Sequence, residues 1–307
     1  MEPLFTPGET WDSYQARVRG ISKSCPSFQH RPPITAFEGD IVSIVVGPDN
    51  STQTFKVHKG LLTHYFEYFR GAFKNEHFIE AQSGVVRLKE DDPSVFKLVY
   101  NFLYTGTLYD GMTMPKRQLS LPARNYGERG LSGLPVDSRG KESDIPLTFE
   151  QLFDLYVFAN ARICLTLENI VVSLVFEKAL LDKMLHIDDL VYSEEKPHLL
   201  LACNRLAAAL AYIVAKYTPA SLISDNYDRI PAAFLAEIIS VKDELIDEQQ
   251  HHQPTTGRTL DMCRFHDHGR HHVVDITSQP ENKSSDPYNS DPFAFQLPGT
   301  ILPTFRF

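Results

Sequence analysis

The sequence predicts an α+β protein, in which a small β-sheet is flanked by a cluster of helices and followed by an α-helical C-terminal extension. A β-branched run of strand length lies early, at Ile41–Val46, and ends at the turn cluster Gly47–Asn50. From Leu61 onward, apolar residues recur three and four positions apart, which is the repeat of a helix. With 42% hydrophobic and 22% charged residues, the chain has the composition of a globular protein.

Local signals fix several of the predicted element ends. Strand-forming residues resume after the turn at 47–50, which predicts a β-hairpin. Asp91-Asp92-Pro93 is typical of a helix start and Gly106 of a helix end. Thr148 with Gln151 three residues later is the capping-box pattern. The predicted strands lie at 41–46, 52–57 and 85–88, and the predicted helices at 61–73, 95–105, 149–163, 167–175, 197–217 and 231–247.

Composition predicts four regions along the chain. The first 36 residues contain scattered prolines and no sustained period, so we expect a flexible lead-in. Within the folded domain predicted at 37–182, residues 111–146 are rich in Gly, Pro, Ser and basic residues and predict a disordered insertion, because such a segment buries too little apolar surface to offset its ordering entropy. We expect a helical extension at 183–248 and a polar, His- and Pro-rich, largely irregular tail at 249–307.

Charge and motif content narrow the class of function. The net charge of −9 argues against broad nucleic-acid binding, which usually needs a clustered basic face. The longest apolar stretch, 206–215, is about half of what a membrane span needs, and no secretory signal is visible. The four dispersed cysteines favour a reducing compartment, so we expect an intracellular protein, cytoplasmic or nuclear. P-loop, Rossmann, HExxH and GxSxG motifs are absent from the sequence, and we expect no enzyme.

Several linked sequence blocks resemble the BTB/POZ domain family, and their residues are most similar to those of BTB proteins from filamentous fungi. The resemblance spans roughly half of the chain and departs from the family at His64 and Glu67, where Ser and Pro are usual. It implies a small mixed sheet with flanking helices over residues 37–182, in which the run at 61–73 forms two short helices joined by a turn. The blocks that carry it are Gly39–Val42, Phe55–Leu62, Tyr68–Phe73, Val85–Phe96 and Phe102–Gly106.

The resemblance implies a protein–protein interaction module that works by self-association or docking. Phe78-Ile79-Glu80 matches the hydrophobic-x-Glu motif of family members that bind cullin-type ubiquitin-ligase scaffolds, which would make this chain a substrate adaptor. The alternative is that Phe78 packs under its own loop and Glu80 is solvated. Asp40 and Lys59 match positions at which dimeric members place a charged pair near the subunit interface; the alternative is an exposed ion pair of little energetic weight.

A second class of function rests on Cys/His chemistry near the C-terminus. Cys263, His266, His268 and His271 offer one thiolate and several imidazoles at short spacing, a donor set that suits Zn²⁺. The spacing is not that of a known zinc finger, and the alternative is a polar segment packed through Phe265. The competing interpretation of the chain is therefore a metal-binding regulatory protein. Apart from this zinc, no cofactor is expected.

Overall fold

The computed structural model describes residues 31–74, 77–108, 145–181, 205–251 and 262–268, together with Thr10, Ser13, Tyr14, Ala16, Arg17 and Cys25. The side chains of 248–251 are not included. Several sequence predictions fall outside these ranges: most of the insertion at 111–146, the start of the extension at 183–204, His271, and the tail beyond residue 268.

A three-stranded mixed sheet opens the fold, as predicted. Strand β1 (Ile41–Val46) is central, with β2 (Gln53–His58) antiparallel on one side and β3 (Val85–Leu88) parallel on the other. Alternate residues of β1, namely Val42, Ile44 and Val46, are buried, which is the period of a strand with one face on the core. The predicted hairpin and third strand are both confirmed.

Three short helices connect β2 to β3: α1 (Lys59–Tyr65), α2 (Glu67–Lys74) and α3 (Ile79–Ser83). The run of helical spacing at 61–73 forms two short helices, as the resemblance implies, and they are divided at Phe66, which adopts an extended conformation with φ −117° and ψ 120°. Arg70 holds this turn, since its Nε donates to the Thr63 carbonyl at 3.0 Å and its guanidinium pairs with Glu67. The departure from the family pattern at 64 and 67 therefore places a carboxylate at the start of α2, where the helix dipole favours it.

Helix α4 (Pro93–Thr105) follows β3 and has the ends that the sequence predicts. The Asp92 side chain accepts a hydrogen bond from the Ser94 N–H at 2.6 Å, with Pro93 at the first helical position. Gly106 ends the helix with φ 72°, the left-handed conformation that costs glycine least.

The second half of the fold is helical: α5 (Phe149–Ala161), α6 (Leu165–Leu181), α7 (Arg205–Tyr217), α8 (Ala220–Ser224) and α9 (Ala232–His251). The Thr148–Gln151 capping box is formed, with both hydrogen bonds present at 3.0 and 3.1 Å. The predicted helix at 149–163 is two residues too long, because Ile163 has a positive φ of 53°. Helix α8 was not predicted, and α7 is described only from Arg205. All helices in the described ranges are too short or too polar to cross a membrane.

Aromatic packing joins the sheet to the helices. The Phe96 ring on α4 lies 4.8 Å from Phe55 on β2 and 5.8 Å from Phe158 on α5, measured between ring centroids. Burial is the main cause that raises the pKa of Tyr156 on α5 to about 12, and the backbone N–H groups of Arg205 and Leu206 at the start of α7 oppose that rise. The sheet, α4, α5 and the start of α7 are thus connected through buried rings.

Two segments that composition predicts to be irregular contribute buried side chains. In the lead-in, Tyr14 donates its hydroxyl hydrogen to the Leu180 carbonyl at 3.0 Å, and Cys25 is buried. In the tail, Met262–Phe265 forms a 3₁₀ turn whose Phe265 ring stacks on Phe176 of α6. An aromatic anchor in each segment supplies the apolar burial that the average composition of the segment does not reveal.

Candidate functional site

Helix α3 carries the predicted hydrophobic-x-Glu motif, and it lies on the surface. None of its residues is buried, and Phe78, the residue that precedes its first turn, is 49% exposed. Glu80 lies in the first turn of α3, half-buried. Phe78 is therefore displayed to solvent rather than packed under its own loop, as docking requires. The role of the two residues in binding stays a prediction.

The turn between α5 and α6 adjoins the start of α2 and carries another exposed apolar residue, Ile163. The Arg162 and Ile163 carbonyls accept hydrogen bonds from the Tyr68 and Glu67 N–H groups, each at 3.3 Å, so this turn satisfies the first donors of α2. The Ile163 side chain points to solvent although its backbone is left-handed, which costs a β-branched residue about 1–2 kcal/mol.

We group the exposed apolar side chains of these elements as one apolar surface, defined as Tyr68, Phe78, Ile79 and Ile163 with Glu80 beside them. Their apolar members are between 42% and 76% exposed. Glu80 lies within electrostatic reach of Tyr68: burial is the main cause that raises the pKa of the Tyr68 hydroxyl, Arg162 lowers it, and the negative charge of Glu80 raises it further. The motif at Phe78 could be predicted from sequence. Tyr68 and Ile163 could not, although Tyr68 falls outside the apolar stripe of its helix.

The strained turn allows a test of its energetic cost. We expect Ile163→Gly to raise the free energy of unfolding by about 0.5–1 kcal/mol, because the relief of left-handed strain exceeds the extra backbone entropy of glycine. Ile239 in the middle of α9 is the matched control, exposed and helical, and Ile239→Gly should lower stability by about 1 kcal/mol. Urea denaturation of both variants measures the difference. Equal destabilisation of the two would contradict a strained Ile163.

A largely buried ion pair lies behind this surface. Arg162 pairs with Asp91, the residue two positions before α4, and its guanidinium carbon sits 4.0 Å from the centroid of the Phe158 ring. Burial raises the pKa of the Asp91 carboxyl more than Arg162 lowers it, and burial also lowers the pKa of Arg162. The pair fixes the turn that presents Ile163.

His58, at the junction of β2 and α1, has a structural role. The Tyr104 hydroxyl accepts from the His58 backbone N–H at 3.2 Å and lies 2.9 Å from its ring Nδ1. Because the hydroxyl oxygen already accepts, its hydrogen is available to Nδ1. The Tyr104 hydroxyl is therefore the partner of both the backbone N–H and the ring Nδ1 of His58.

Asp40 and Lys59, the predicted dimer-interface pair, meet through their backbones. The Lys59 N–H donates to the Asp40 carbonyl at 2.9 Å. The Lys59 ammonium lies 5.4 Å from the centroid of the Phe73 ring, a cation–π distance. Neither side chain takes part in an ion pair among the residues that the structure describes. Their role in a dimer stays a prediction.

The Cys/His residues predicted as metal ligands come together, with one addition. The ligand atoms of Cys263, His266, His268 and Cys25 all lie within 4.8 Å of one another, and Cys25 Sγ is 3.1 Å from His266 Nδ1. Cys25 carries no sequence signal, because it is separated by 241 positions from His266 and stands alone in the lead-in. His271, the fourth predicted ligand, lies outside the described ranges.

Comparison with known proteins identifies the domain that carries Tyr68, Phe78, Ile79 and Glu80 of the apolar surface. Residues 40–129 match the family model described as BTB/POZ domain. A search of curated proteins with the whole chain found no match. The small mixed sheet with its surrounding helices is a BTB/POZ fold, as predicted, and it continues into a helical C-terminal region. The match ends before α5, so the predicted domain boundary at 182 rests on the sequence alone.

Proposed function

We propose that this chain, whose residues 40–129 match the BTB/POZ domain, is a non-catalytic protein–protein interaction module that docks its partner through the apolar surface. The observation that carries the proposal is the exposure of large apolar side chains on neighbouring elements, α2, α3 and the α5–α6 turn. Clustered exposed aromatic and aliphatic side chains mark binding surfaces far more often than scattered ones do.

The partner that this surface fits best is a cullin-type scaffold. Phe78 supplies an apolar anchor for a pocket in the partner, and Glu80 beside it supplies a polar contact at the edge, which is the usual division of roles at an interface. Tyr68 and Ile163 extend the apolar area around the anchor and exclude water from it. In the adaptor version of this proposal, α7 to α9 hold the target while the apolar surface holds the scaffold.

The surface is held rigid before any partner arrives. The Ser83 hydroxyl donates to the Ile79 carbonyl at 2.6 Å and accepts from the Val85 N–H at 3.2 Å, which ties the end of α3 to the start of β3. Gly84 closes the helix with φ 65°. A motif fixed in this way loses little conformational entropy on binding, which favours affinity.

The test is direct binding of the purified chain to a purified cullin N-terminal region. We expect Phe78→Ala to weaken binding at least about 30-fold, the loss typical of a central anchor residue. Glu80→Lys should weaken it as well, through charge reversal at the edge. Because Phe78 is half exposed, its truncation should leave the melting temperature nearly unchanged.

Tyr227→Ala is the matched control, since Tyr227 is an exposed aromatic residue on a different element, the 3₁₀ turn at 227–229. This variant should bind as the wild type does. Failure of the wild-type chain to bind a cullin, or equal binding by Phe78→Ala, would contradict the adaptor proposal. Self-association without cullin binding, seen by light scattering, would instead favour an assembly module.

A further inference from the structure

We propose that Cys25, Cys263, His266 and His268 form a structural Zn²⁺ site that fastens the N-terminal segment to the C-terminal segment. The four ligand atoms lie within 4.8 Å of one another, and the closest contact, between Cys25 Sγ and His266 Nδ1, is 3.1 Å. In a tetrahedral zinc site with ordinary bond lengths, ligand atoms are about 3.4–3.8 Å apart. Binding of an ion would therefore draw the most widely separated ligand atoms together and move the closest pair slightly apart.

The donor set selects the metal. Two thiolates and two imidazoles in a closed four-coordinate arrangement are typical of structural zinc, whereas Mg²⁺ and Ca²⁺ prefer oxygen ligands. All ligands needed for such a site come from the chain, which leaves no open position for a substrate. The site is therefore structural rather than catalytic.

The surroundings of His266 are those of an oriented metal ligand. Its Nδ1 faces Cys25, and its other ring nitrogen, Nε2, lies 2.9 Å from the Ser173 hydroxyl. A hydrogen bond from the second nitrogen to a neighbouring acceptor fixes the ring and its tautomer in most histidine–metal sites. Ser173 is buried on α6, so this orientation is set by the core.

Asp267, which lies between His266 and His268, is hydrogen-bonded to α6, the helix that carries Ser173. Asn169 donates from its side-chain amide to the Asp267 carbonyl at 2.7 Å and accepts from the Asp267 N–H at 2.9 Å. Phe265 packs against Phe176 and Tyr212, with ring centroids 6.0 and 5.4 Å apart. These contacts hold 262–268 on α6 and α7 and direct its ligands toward Cys25.

Two other uses of these residues agree less well with the geometry. A Cys25–His266 pair resembles the thiol–imidazole pair of a nucleophile, but Cys25 and His266 are only 1% and 3% exposed, and reactive cysteines need access. A Cys25–Cys263 disulfide would not account for the position of His266 and His268 next to the two sulfur atoms. A bound zinc ion uses all four.

Metal analysis of the full-length chain tests the proposal. After expression in zinc-supplemented medium and extensive desalting, we expect about one zinc ion per chain by inductively coupled plasma mass spectrometry. Cys25→Ser and Cys263→Ser should each lose most of it. Cys164→Ala is the matched control, because Cys164 is fully buried at the start of α6 outside the cluster, and this variant should keep its zinc even where its stability falls.

Cobalt substitution separates the loss of a ligand from the loss of the fold. Co²⁺ in the wild-type chain should show the strong visible bands of a tetrahedral site and a thiolate charge-transfer band. At saturating Co²⁺, which compensates for the weaker affinity of the variant, that band should reach only about half its intensity in Cys25→Ser, because one of the two thiolates is removed. Ser173→Ala, which keeps all four ligands, should lower metal affinity about 10–100-fold.

Chelation gives an independent readout. Removal of zinc should lower the melting temperature by more than about 5 °C, because binding free energy at such a site is also folding free energy. Three results would overturn the proposal: a wild-type chain that binds no zinc with its thiols reduced, a Cys25–Cys263 disulfide in the protein isolated under reducing conditions, or full zinc content in Cys25→Ser.

Discussion

Arg162→Met is expected to lower the free energy of unfolding by about 3 kcal/mol at neutral pH. The substitution keeps the length and apolar contacts of the side chain but leaves the Asp91 carboxylate without its partner in a largely buried position. Breaking a buried pair costs about 3–5 kcal/mol. The lower end applies here because the Arg162 and Asp91 side chains remain 13% and 16% exposed.

The deficit of this variant should depend on pH in a defined direction. In the wild type, burial raises the pKa of Asp91 above its ordinary value, and Arg162 opposes that rise. Without Arg162 the pKa of Asp91 in the folded state rises further, so the folded state holds the proton to a higher pH than the unfolded state does. The stability of the variant must then fall as pH rises through the interval between the two pKa values. Urea denaturation near pH 4.5 should show a smaller deficit than at pH 7.

The double variant Asp91→Asn/Arg162→Met is the control for the charge. The double variant has no buried carboxylate without a partner. Its free energy of unfolding should therefore return most of the way to the wild-type value, because burial of the pair costs desolvation that the attraction between the charges only partly offsets. If Arg162→Met is as stable as the wild type at pH 7, or if the double variant is no better than the single one, the buried pair does not hold the α5–α6 turn.

Phe96→Ala should cost about 3–5 kcal/mol, the range for an aromatic side chain removed from a packed core. The Phe96 side chain is fully buried between Phe55 and Phe158, so its truncation leaves a cavity at the contact between the sheet and α5. Chemical denaturation followed by circular dichroism measures the loss.

Phe78→Ala makes the same chemical change on the exposed surface and should cost less than about 1 kcal/mol. The pair separates the two roles that phenylalanine has in this domain, since one variant should lose stability and the other partner binding. Similar unfolding free energies for the two variants would mean that Phe78 belongs to the core and that the docking proposal is wrong.

Features that depend on neighbours in the sequence were predictable. Helix caps are formed by residues within a few positions of one another, so they can be recognised without knowledge of the fold. Examples are the Asp92 cap and the Gly106 end of α4, and the Thr148–Gln151 capping box. The alternation in β1 is local in the same sense. The family resemblance, which rests on several such blocks, then gave the interaction class of function and the motif at Phe78.

Features that depend on distant segments were decided by the tertiary structure. Ile163 lies on the apolar surface because the α5–α6 turn satisfies the N–H groups at the start of α2. Its left-handed backbone belongs to the local cap of α5, in which the Ile163 and Cys164 N–H groups donate to the Asn160 and Ala159 carbonyls. Cys25 joins the Cys/His cluster because the packing of 262–268 on α6 and α7 places His266 beside it. Capping and alternation act over a few residues, whereas burial brings together residues of any separation. The sequence alone therefore determined the elements and the class of the domain, and only packing determined which side chains share a surface or a site.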